Sequence, residues 1–332
     1  MKILYLSCHE VLEFYELSLL YELGHEVISI GEYNDPRNPR LSTRPAIDQN
    51  QQELAKIVSH IPICSDLKHI DERLIKWADI IWIMHGPDWL ETVLGRVRNK
   101  PVILRTIGQN IAHHEHLINQ YKSTHSNFKV VRYSPYEVFV PHFKHMDVLI
   151  RFYTDEDVYK GWLGNIDKGL IVSQNILQRS SQTNGSFLLE AAKSIDIDIY
   201  GRMNGDSIKE LSFNEYIAAL KAYKFILIAG TIPASYTLTF IEALMSGIPV
   251  IALGPALGDG HMLGQSTYEV PTIIQSGVNG FIVDSRPELI SARAQLSSKN
   301  EKFISMEGRK TALELFSKQS IKKQWQEFLC YL

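Results

Sequence analysis

The stretch TLTFIEALMSGIPVIAL, residues 237–253, joins a helical pattern directly to a strand pattern. In TLTFIEALMS the apolar side chains recur at helical spacing, and the Gly247 that follows is a residue type that commonly ends a helix. The run IPVIAL is rich in β-branched side chains, which is typical of a strand buried within a parallel sheet. A helix followed at once by such a strand predicts a unit of an α/β fold.

The start of this predicted helix has the character of an anion site. It follows the apolar run KFILIAG, a predicted strand, so its N–H groups should lie at a strand end, where a diphosphate can bind. The candidate residues for that contact are Ser235, Tyr236, Thr237, Leu238 and Thr239. Glu242, further along the helix, is a candidate acceptor of hydrogen bonds from ribose hydroxyls. The alternatives are ordinary helix capping by the hydroxyls and a solvated glutamate.

The alternation of strand and helix patterns extends along the whole chain. MKILYLS and EVISIGE bracket the helical pattern LEFYELSLLYELGH, which Gly24 ends, in a β-α-β order. The strand patterns DIIWIMH, PVILRTIG and KVVRYS follow, with a His-rich helix near residues 111–121. Residues 33–44 are predicted to form a polar, proline-containing loop and residues 49–59 a helix. After Gly164 the order restarts with the strands GLIVSQN, IDIYG and KFILIAG, separated by the helices SFLLEAAKSI and FNEYIAALKAY.

The length of 332 residues exceeds what one hydrophobic core usually supports. We therefore predict two Rossmann-like α/β domains, residues 1–165 and residues 166–315. The remaining residues, 316–332, are predicted to form a C-terminal helix that packs back on the domains. Its apolar face would contain Ile321, Trp325, Phe328 and Leu329.

Composition excludes several classes of partner. With 34 basic and 37 acidic residues the formal charge is −3, which predicts no general attraction to nucleic acid or anionic lipid. We find no run of about 18 apolar residues and expect no transmembrane helix, and MKILYLSC is predicted to be a first strand rather than a signal peptide. Cys8, Cys64 and Cys330 fit neither a zinc motif nor a disulfide framework, so we expect a cytoplasmic protein.

The Glu-bearing helix, the GIPVIA strand and the later GVNGF turn resemble the GT-B glycosyltransferases, especially those of family 4, which retain anomeric configuration. That family has two glutamates separated by seven residues. Glu242 matches the second, which binds ribose, whereas Ala234 stands at the place of the first, which approaches the donor sugar. The resemblance implies that the two Rossmann-like domains face each other across a cleft. It also implies a nucleoside-diphosphate sugar as co-substrate in the second domain, an unknown acceptor in the first, and no bound cofactor or metal.

The same resemblance implies further site residues in the second domain. Arg179, in SQNILQRS, follows the first strand of that domain, where the family has a basic residue that stabilises the departing diphosphate. Arg202, in IYGRMNG, follows the next strand, where the family's nucleotide loop lies. Tyr268, Glu269 and Pro271 resemble the family's segment just ahead of the glycine turn.

The first domain has its own candidate residues at predicted strand ends, where ligands bind in open α/β folds. These candidates are His9, Glu10, His85, Arg105, Thr106, Gly108 and Arg151. His85 would orient the sugar or the acceptor, and the alternative is a surface histidine. Arg105 would neutralise a phosphate or pair with Asp88. His9 and Glu10 are candidate acceptor contacts, and Arg151 is a candidate substrate contact at an apolar strand end.

A cluster of three histidines, His113, His114 and His116, invites a metal interpretation. Only His113 and His116 share a helical face, and neither a CxxC nor an HExxH motif supports them, so we expect no metal. We also find no GxGxxG and no P-loop motif.

We predict a metal-independent hexosyl- or pentosyltransferase acting on a saccharide, a lipid-linked glycan or a small molecule. The alternatives are a nucleic-acid-modifying glycosyltransferase, as in some phages, and a non-catalytic protein that binds nucleotide sugars.

Overall fold

The computed structural model describes residues 1–7, 9–30, 70–87, 89–97, 99–108, 111–202, 204–205, 208–258, 261–262, 265–296 and 300–332. The chain forms two compact units, residues 1–150 with 322–332 and residues 151–321. The division predicted from sequence falls later, between residues 165 and 166. Residues 151–165 join the second unit because they bond to its helices, as when Thr154 N donates to Phe316 O at 3.0 Å. The loop predicted at 33–44 and the helix predicted at 49–59 lie outside the described residues.

The first unit is built on a six-stranded parallel sheet. Its elements in chain order are β1 Lys2–Ser7, α1 Glu10–Glu22, β2 Glu26–Ser29, α2 Glu72–Trp77, β3 Ile80–Met84, α3 Trp89–Leu94, β4 Val102–Arg105, α4 Ala112–Lys122, β5 Phe128–Arg132, the 3-10 helix Pro135–Phe139 and β6 Val148–Leu149. The strand order is β2-β1-β3-β4-β5-β6, and every neighbouring pair is parallel. The predicted β-α-β opening is confirmed, and Gly24 follows α1 with a φ of 77° that favours glycine.

The second unit is built on a five-stranded parallel sheet. Its elements are β7 Ile166–Val172, α5 Ser180–Thr183, α6 Gly185–Ser194, β8 Ile197–Tyr200, α7 Phe213–Ala222, β9 Tyr223–Ile228, α8 Leu238–Ser246, β10 Val250–Leu253, α9 Pro255–Gly258, β11 His261–Met262, β12 Gln265–Ser266, α10 Val270–Ile273, β13 Phe281–Val283, α11 Arg286–Leu296 and α12 Glu301–Phe316. The strand order is β13-β10-β9-β7-β8, and β11 pairs with β12 in a separate antiparallel ladder.

The stretch 237–253 forms the predicted helix and strand. Thr237 caps α8 through its side chain, and Gly247 ends the helix with a φ of 85°. β10 is buried along its whole length between β9 and β13, which explains its continuous apolar sequence. The helix–strand prediction is therefore confirmed.

The last helix, α13, spans Lys318–Cys330. Three residues of its predicted apolar face, Ile321, Trp325 and Leu329, are buried. Within the first unit the Trp325 ring lies 4.4 Å from the Trp82 ring, centroid to centroid. Throughout the described part of the chain, no helix has both the length and the apolar character that a membrane span requires.

Candidate functional site

Three loops meet at the carboxyl edge of the second sheet. They follow β7, β8 and β9, which are adjacent parallel strands in the order β8-β7-β9. We name residues 173–179 the β7 loop and residues 229–237 the β9 loop, and the β8 loop begins at Gly201. Because the carboxyl ends of parallel strands share one edge, these loops lie where open α/β sheets bind ligands.

The β9 loop leads into the N-terminus of α8. Thr237 Oγ1 accepts a hydrogen bond from Phe240 N at 3.3 Å, and Thr237, Leu238 and Thr239 are partly exposed. The backbone N–H groups of a first helical turn have no acceptor within the helix, and the helix dipole places partial positive charge there. This end of α8 is therefore suited to bind an anion.

Two residues of the same predicted group are buried instead. Ser235 accepts a hydrogen bond from Glu269 N at 2.9 Å through its backbone oxygen. Tyr236 packs its ring 5.3 Å from the Phe316 ring, and its hydroxyl accepts from Phe152 N at 3.2 Å. The Ser235 backbone and the Tyr236 side chain therefore make contacts inside the second unit, and direct diphosphate contact by these two residues stays a prediction.

Arg179 lies at the end of the β7 loop and is partly exposed. Its Nε donates to Gln182 Oε1 at 3.0 Å, and no carboxylate of the described residues forms an ion pair with it. The backbone oxygen of Gln182 accepts from Ile232 N at 2.9 Å, which fastens this segment to the β9 loop. The Arg179 guanidinium, which has no carboxylate partner among the described residues, is thus held on a segment that is bonded to the β9 loop. Arg202 lies on the β8 loop and is also partly exposed.

Glu242 has an environment that the sequence did not reveal. Glu242 is buried, with an exposed fraction of only 1%. Tyr159 Oη donates to Glu242 Oε1 at 2.9 Å, and Tyr216 Oη donates to Oε2 at 2.8 Å. The carboxylate therefore joins α8 to α7 and to residues 151–165. Ribose binding by Glu242 stays a prediction, and the solvated alternative is wrong.

Arg151 also has an internal partner. Its guanidinium forms a bidentate ion pair with Glu269, with Nη1 3.0 Å from Oε2 and Nη2 bonded to Oε1. The guanidinium carbon lies 5.8 Å from the centre of the Tyr236 ring and 5.5 Å from that of Phe316. Substrate contact by Arg151 stays a prediction, and the ion pair holds the base of the β9 loop. Ala234, at the place of the family's first glutamate, is buried.

Arg105 corrects a prediction in the first unit. It is 0% exposed and forms an ion pair with Glu16, with Nε 2.8 Å from Oε1. Its Nη1 donates to the backbone oxygens of Arg132 and Ile150 at 3.2 and 2.5 Å. Burial raises the pKa of the Glu16 carboxyl, and the Arg105 charge opposes that rise. Arg105 thus supports the core of the first unit, whereas we predicted a phosphate contact or a pair with Asp88, which lies outside the described residues.

The neighbouring polar residue follows the same pattern. Thr106 is buried and its Oγ1 donates to Glu137 Oε1 at 2.9 Å, so its predicted substrate contact does not fit its position. Gly108 has a φ of 84°. His9 caps α1, with Nδ1 accepting from Leu12 N at 3.3 Å. Helix α1 begins at Glu10, whose side chain lies outside the described part of the structure.

Histidines gather at the carboxyl edge of the first sheet. His85 directly follows β3 with a φ of 70°, which is uncommon for a residue other than glycine. Its ring lies 5.8 Å from the His114 ring in an edge-to-face arrangement. His113 and His116, which share a helical face, are exposed. Within the described residues no group of three potential ligands could hold a metal ion.

Four residues of this site were missed by sequence reasoning. The sequence gives no reason to single out Tyr159, and Tyr216 is one member of the helical pattern FNEYIAALKAY. The segment IYGRMNG was assigned to the family's nucleotide loop, but only Arg202 was singled out there. The density of glycine and asparagine in GRMNG, which marks a tight turn, is a signal for Gly201 and Asn204.

No protein-family model matches the chain, and no curated protein matches its sequence. Solved structures do match it along almost its whole length. A sucrose-phosphate synthase from Thermosynechococcus elongatus has 13% sequence identity and a TM-score of 0.70, covering 100% of this chain and 98% of that chain. HepE of Anabaena in complex with UDP-glucose has 15% identity and a TM-score of 0.68, covering 100% of both chains. A glycosyltransferase from Rickettsia africae has 15% identity and a TM-score of 0.63, covering 98% and 97%.

These similarities define the class of fold. The chain has the GT-B fold, with two parallel α/β sheets flanked by helices. The more particular resemblance to family 4 stays a prediction from the motif around Glu242.

Proposed function

We propose that the protein is a glycosyltransferase that uses a nucleoside-diphosphate sugar as donor, and that the second unit binds this donor. The observation that carries the proposal is that Arg179 and the N-terminus of α8 follow adjacent strands at the carboxyl edge of one sheet, on segments joined by the hydrogen bond from Ile232 N to Gln182 O. The HepE structure, which contains UDP-glucose, supports a donor of this chemical class.

The proposed chemistry needs a group that accepts charge when the glycosidic bond to the diphosphate breaks. Arg179 supplies one positive charge, and the first-turn amides of Leu238 and Thr239 supply oriented N–H dipoles. The amides are fixed by the helix, the Arg179 backbone N–H is bonded to Asn175 O, and Arg179 Nε is bonded to Gln182 Oε1, so these groups are already in place as negative charge develops on the leaving group. This arrangement stabilises a departing diphosphate without requiring a metal ion.

The finer parts of the proposal rest on the resemblance to family 4. They are transfer with retention of configuration, a hexose or pentose donor, an acceptor held mainly by the first unit, and His85 as the residue that orients the sugar or the acceptor. Arg202 is proposed to contact the nucleotide. Glu242 is proposed to reach ribose only if its bonds to Tyr159 and Tyr216 rearrange.

Titration calorimetry with UDP, GDP and ADP, and with the corresponding sugars, tests the donor site. Arg179→Gln should weaken binding of the preferred diphosphate tenfold or more, since a charge-assisted hydrogen bond contributes about 1.5–3 kcal/mol. It should leave binding of the matching nucleoside unchanged, because the nucleoside has no phosphate. Lys193→Gln is the control: it removes the same charge from an exposed site at the C-terminal end of α6.

The outcomes separate three cases. Failure of the wild-type protein to bind any nucleotide would refute the proposal. Binding of nucleotide that Arg179→Gln and Lys193→Gln weaken equally would refute the role of Arg179. Binding of a nucleotide sugar without release of free nucleotide over hours, with or without added acceptors, would favour the non-catalytic alternative for which Ala234 is the motivation.

A further inference from the structure

Among the described residues, the β7 and β8 loops are joined by a backbone hydrogen bond from Asn175 N to Arg202 O at 2.9 Å and by the buried side chain of Asn204. Asn204 is 8% exposed, and its amide makes three hydrogen bonds to backbone. Oδ1 accepts from Ile176 N at 2.6 Å, and Nδ2 donates to Ser173 O at 2.8 Å and to Gly201 O at 3.0 Å. Two of these bonds reach the β7 loop from the β8 loop, and the third closes the β8 loop on itself.

Two glycines let the neighbouring backbone approach the β7 loop closely. A Cβ atom on Gly201 would lie 1.9 Å from Ser173 O, and one on Gly185 would lie 2.1 Å from Ile176 O. Both distances are far below van der Waals contact, so only glycine fits. The β7 loop is therefore held from one side by the β8 loop and from the other by the start of α6.

The held segment leads directly to Arg179. Asn175 lies between the two backbone groups that Asn204 binds, and it has a left-handed backbone with a φ of 53°. Asparagine adopts this conformation more readily than most residues other than glycine, so its residue type suits the turn at this position. Arg179 N then donates to Asn175 O at 3.0 Å. The position of the Arg179 backbone thus depends on the segment that Asn204 fixes.

We propose that Asn204 is a positioning residue for the donor diphosphate: it fixes the β7 loop so that Arg179 meets the phosphate. This inference rests on the proposed function of the same site. Asn204 acts through Arg179, so its effect should fall on the diphosphate part of the ligand, and it should disappear when the Arg179 guanidinium is already absent.

The chain contains a closely matched control. Asn279 is 7% exposed and also makes three hydrogen bonds, from Gln275 N at 2.7 Å, to Ile273 O at 2.9 Å and to Thr311 Oγ1 at 3.0 Å. It precedes β13 and so lies at the amino edge of the same sheet, opposite the candidate site. A general loss of buried hydrogen bonds in the second unit should affect both asparagines alike.

The test measures thermal stability and the binding of UDP, uridine and inorganic pyrophosphate in Asn204→Ala and Asn279→Ala. Both variants should lower the melting temperature. Only Asn204→Ala should weaken the binding of UDP and pyrophosphate, by about tenfold, and the binding of uridine should be unchanged. In Arg179→Gln the further change Asn204→Ala should have little effect on UDP binding. If either alanine variant fails to fold, Asn204→Ser and Asn279→Ser replace the pair.

Each contrary outcome has one meaning. If wild type binds GDP or ADP but not UDP, that diphosphate and its nucleoside replace UDP and uridine. If it binds none of these diphosphates and no pyrophosphate, the proposed function fails before Asn204 is tested. If wild type binds and the two asparagine variants lose affinity equally, Asn204 has a structural role alone and the inference is overturned. If the effects of Asn204→Ala and Arg179→Gln on UDP affinity are additive, Asn204 does not act through Arg179, and the inference is again overturned.

Discussion

Replacing Glu242 by alanine should lower the melting temperature of the second unit. The carboxylate accepts hydrogen bonds from Tyr159 at 2.9 Å and from Tyr216 at 2.8 Å, and all three residues are buried. A buried hydrogen bond to a charged group contributes about 1.5–3 kcal/mol, so loss of both costs about 3–6 kcal/mol. For a unit of this size each kcal/mol lowers the melting temperature by roughly 2–4 °C, which predicts a decrease of roughly 6–24 °C.

Scanning calorimetry of the whole chain measures this effect, with the two units allowed to melt separately. Tyr159→Phe and Tyr216→Phe should each cost about half as much as Glu242→Ala, because each removes one of the two bonds. Glu190→Ala removes a glutamate from an exposed position on α6 and should change stability by no more than about 0.5 kcal/mol.

Nucleotide binding by the same variants distinguishes the structural role of Glu242 from the ribose role. Tyr216→Phe should destabilise the unit without lowering nucleotide affinity, since the tyrosine has no predicted ligand contact. The reasoning would be refuted if Glu242→Ala melted like wild type and lost nucleotide binding, because the carboxylate would then serve the ligand and not the packing of α8.

Two further predictions follow from individual residues. Gly201→Ala should destabilise the second unit by about 2–5 kcal/mol in urea unfolding, because its Cβ would lie 1.9 Å from Ser173 O and its φ is 148°. Gly205→Ala, with a φ of 76° and no atom within 4 Å, should cost only about 1–2 kcal/mol, and equal losses would argue against the clash. Burial and the Lys122 charge lower the pKa of His145 from its ordinary 6.5, so unfolding takes up a proton and the first unit loses stability as the pH falls through this pKa. In pH-dependent melting His145→Asn should match wild type above about pH 7.5 and lose less stability on acidification, and parallel pH profiles would contradict this.

Several parts of the fold could be predicted because they depend on local pattern. The β-α-β opening, the helix and strand of residues 237–253, and the buried side of α13 all follow from apolar side chains at intervals of two, three or four residues. Gly24 and Gly247 end helices through a backbone conformation that their own residue type favours. The GT-B prediction came from these elements in order, together with the motif around Glu242.

The partners of the charged residues could not be predicted in this way. Arg105 meets Glu16 from 89 positions away, and Glu242 meets Tyr159 and Tyr216 from 83 and 26 positions away. Sequence placed both charged residues near a predicted ligand edge, and only the packed structure decided that Arg105 turns into the core. A buried charge requires a partner, and that partner can come from any part of the chain.

The amino-acid sequence by itself therefore determined the two α/β sheets, the strand end at which α8 begins, and the presence of Arg179 after the first strand of the second sheet. Tertiary structure decided which polar side chains remain accessible at that edge and which are buried in the core with hydrogen-bond partners. The physical reason is that helix and strand periodicity depends on neighbours in sequence, whereas satisfaction of buried hydrogen bonds and charges depends on neighbours in space.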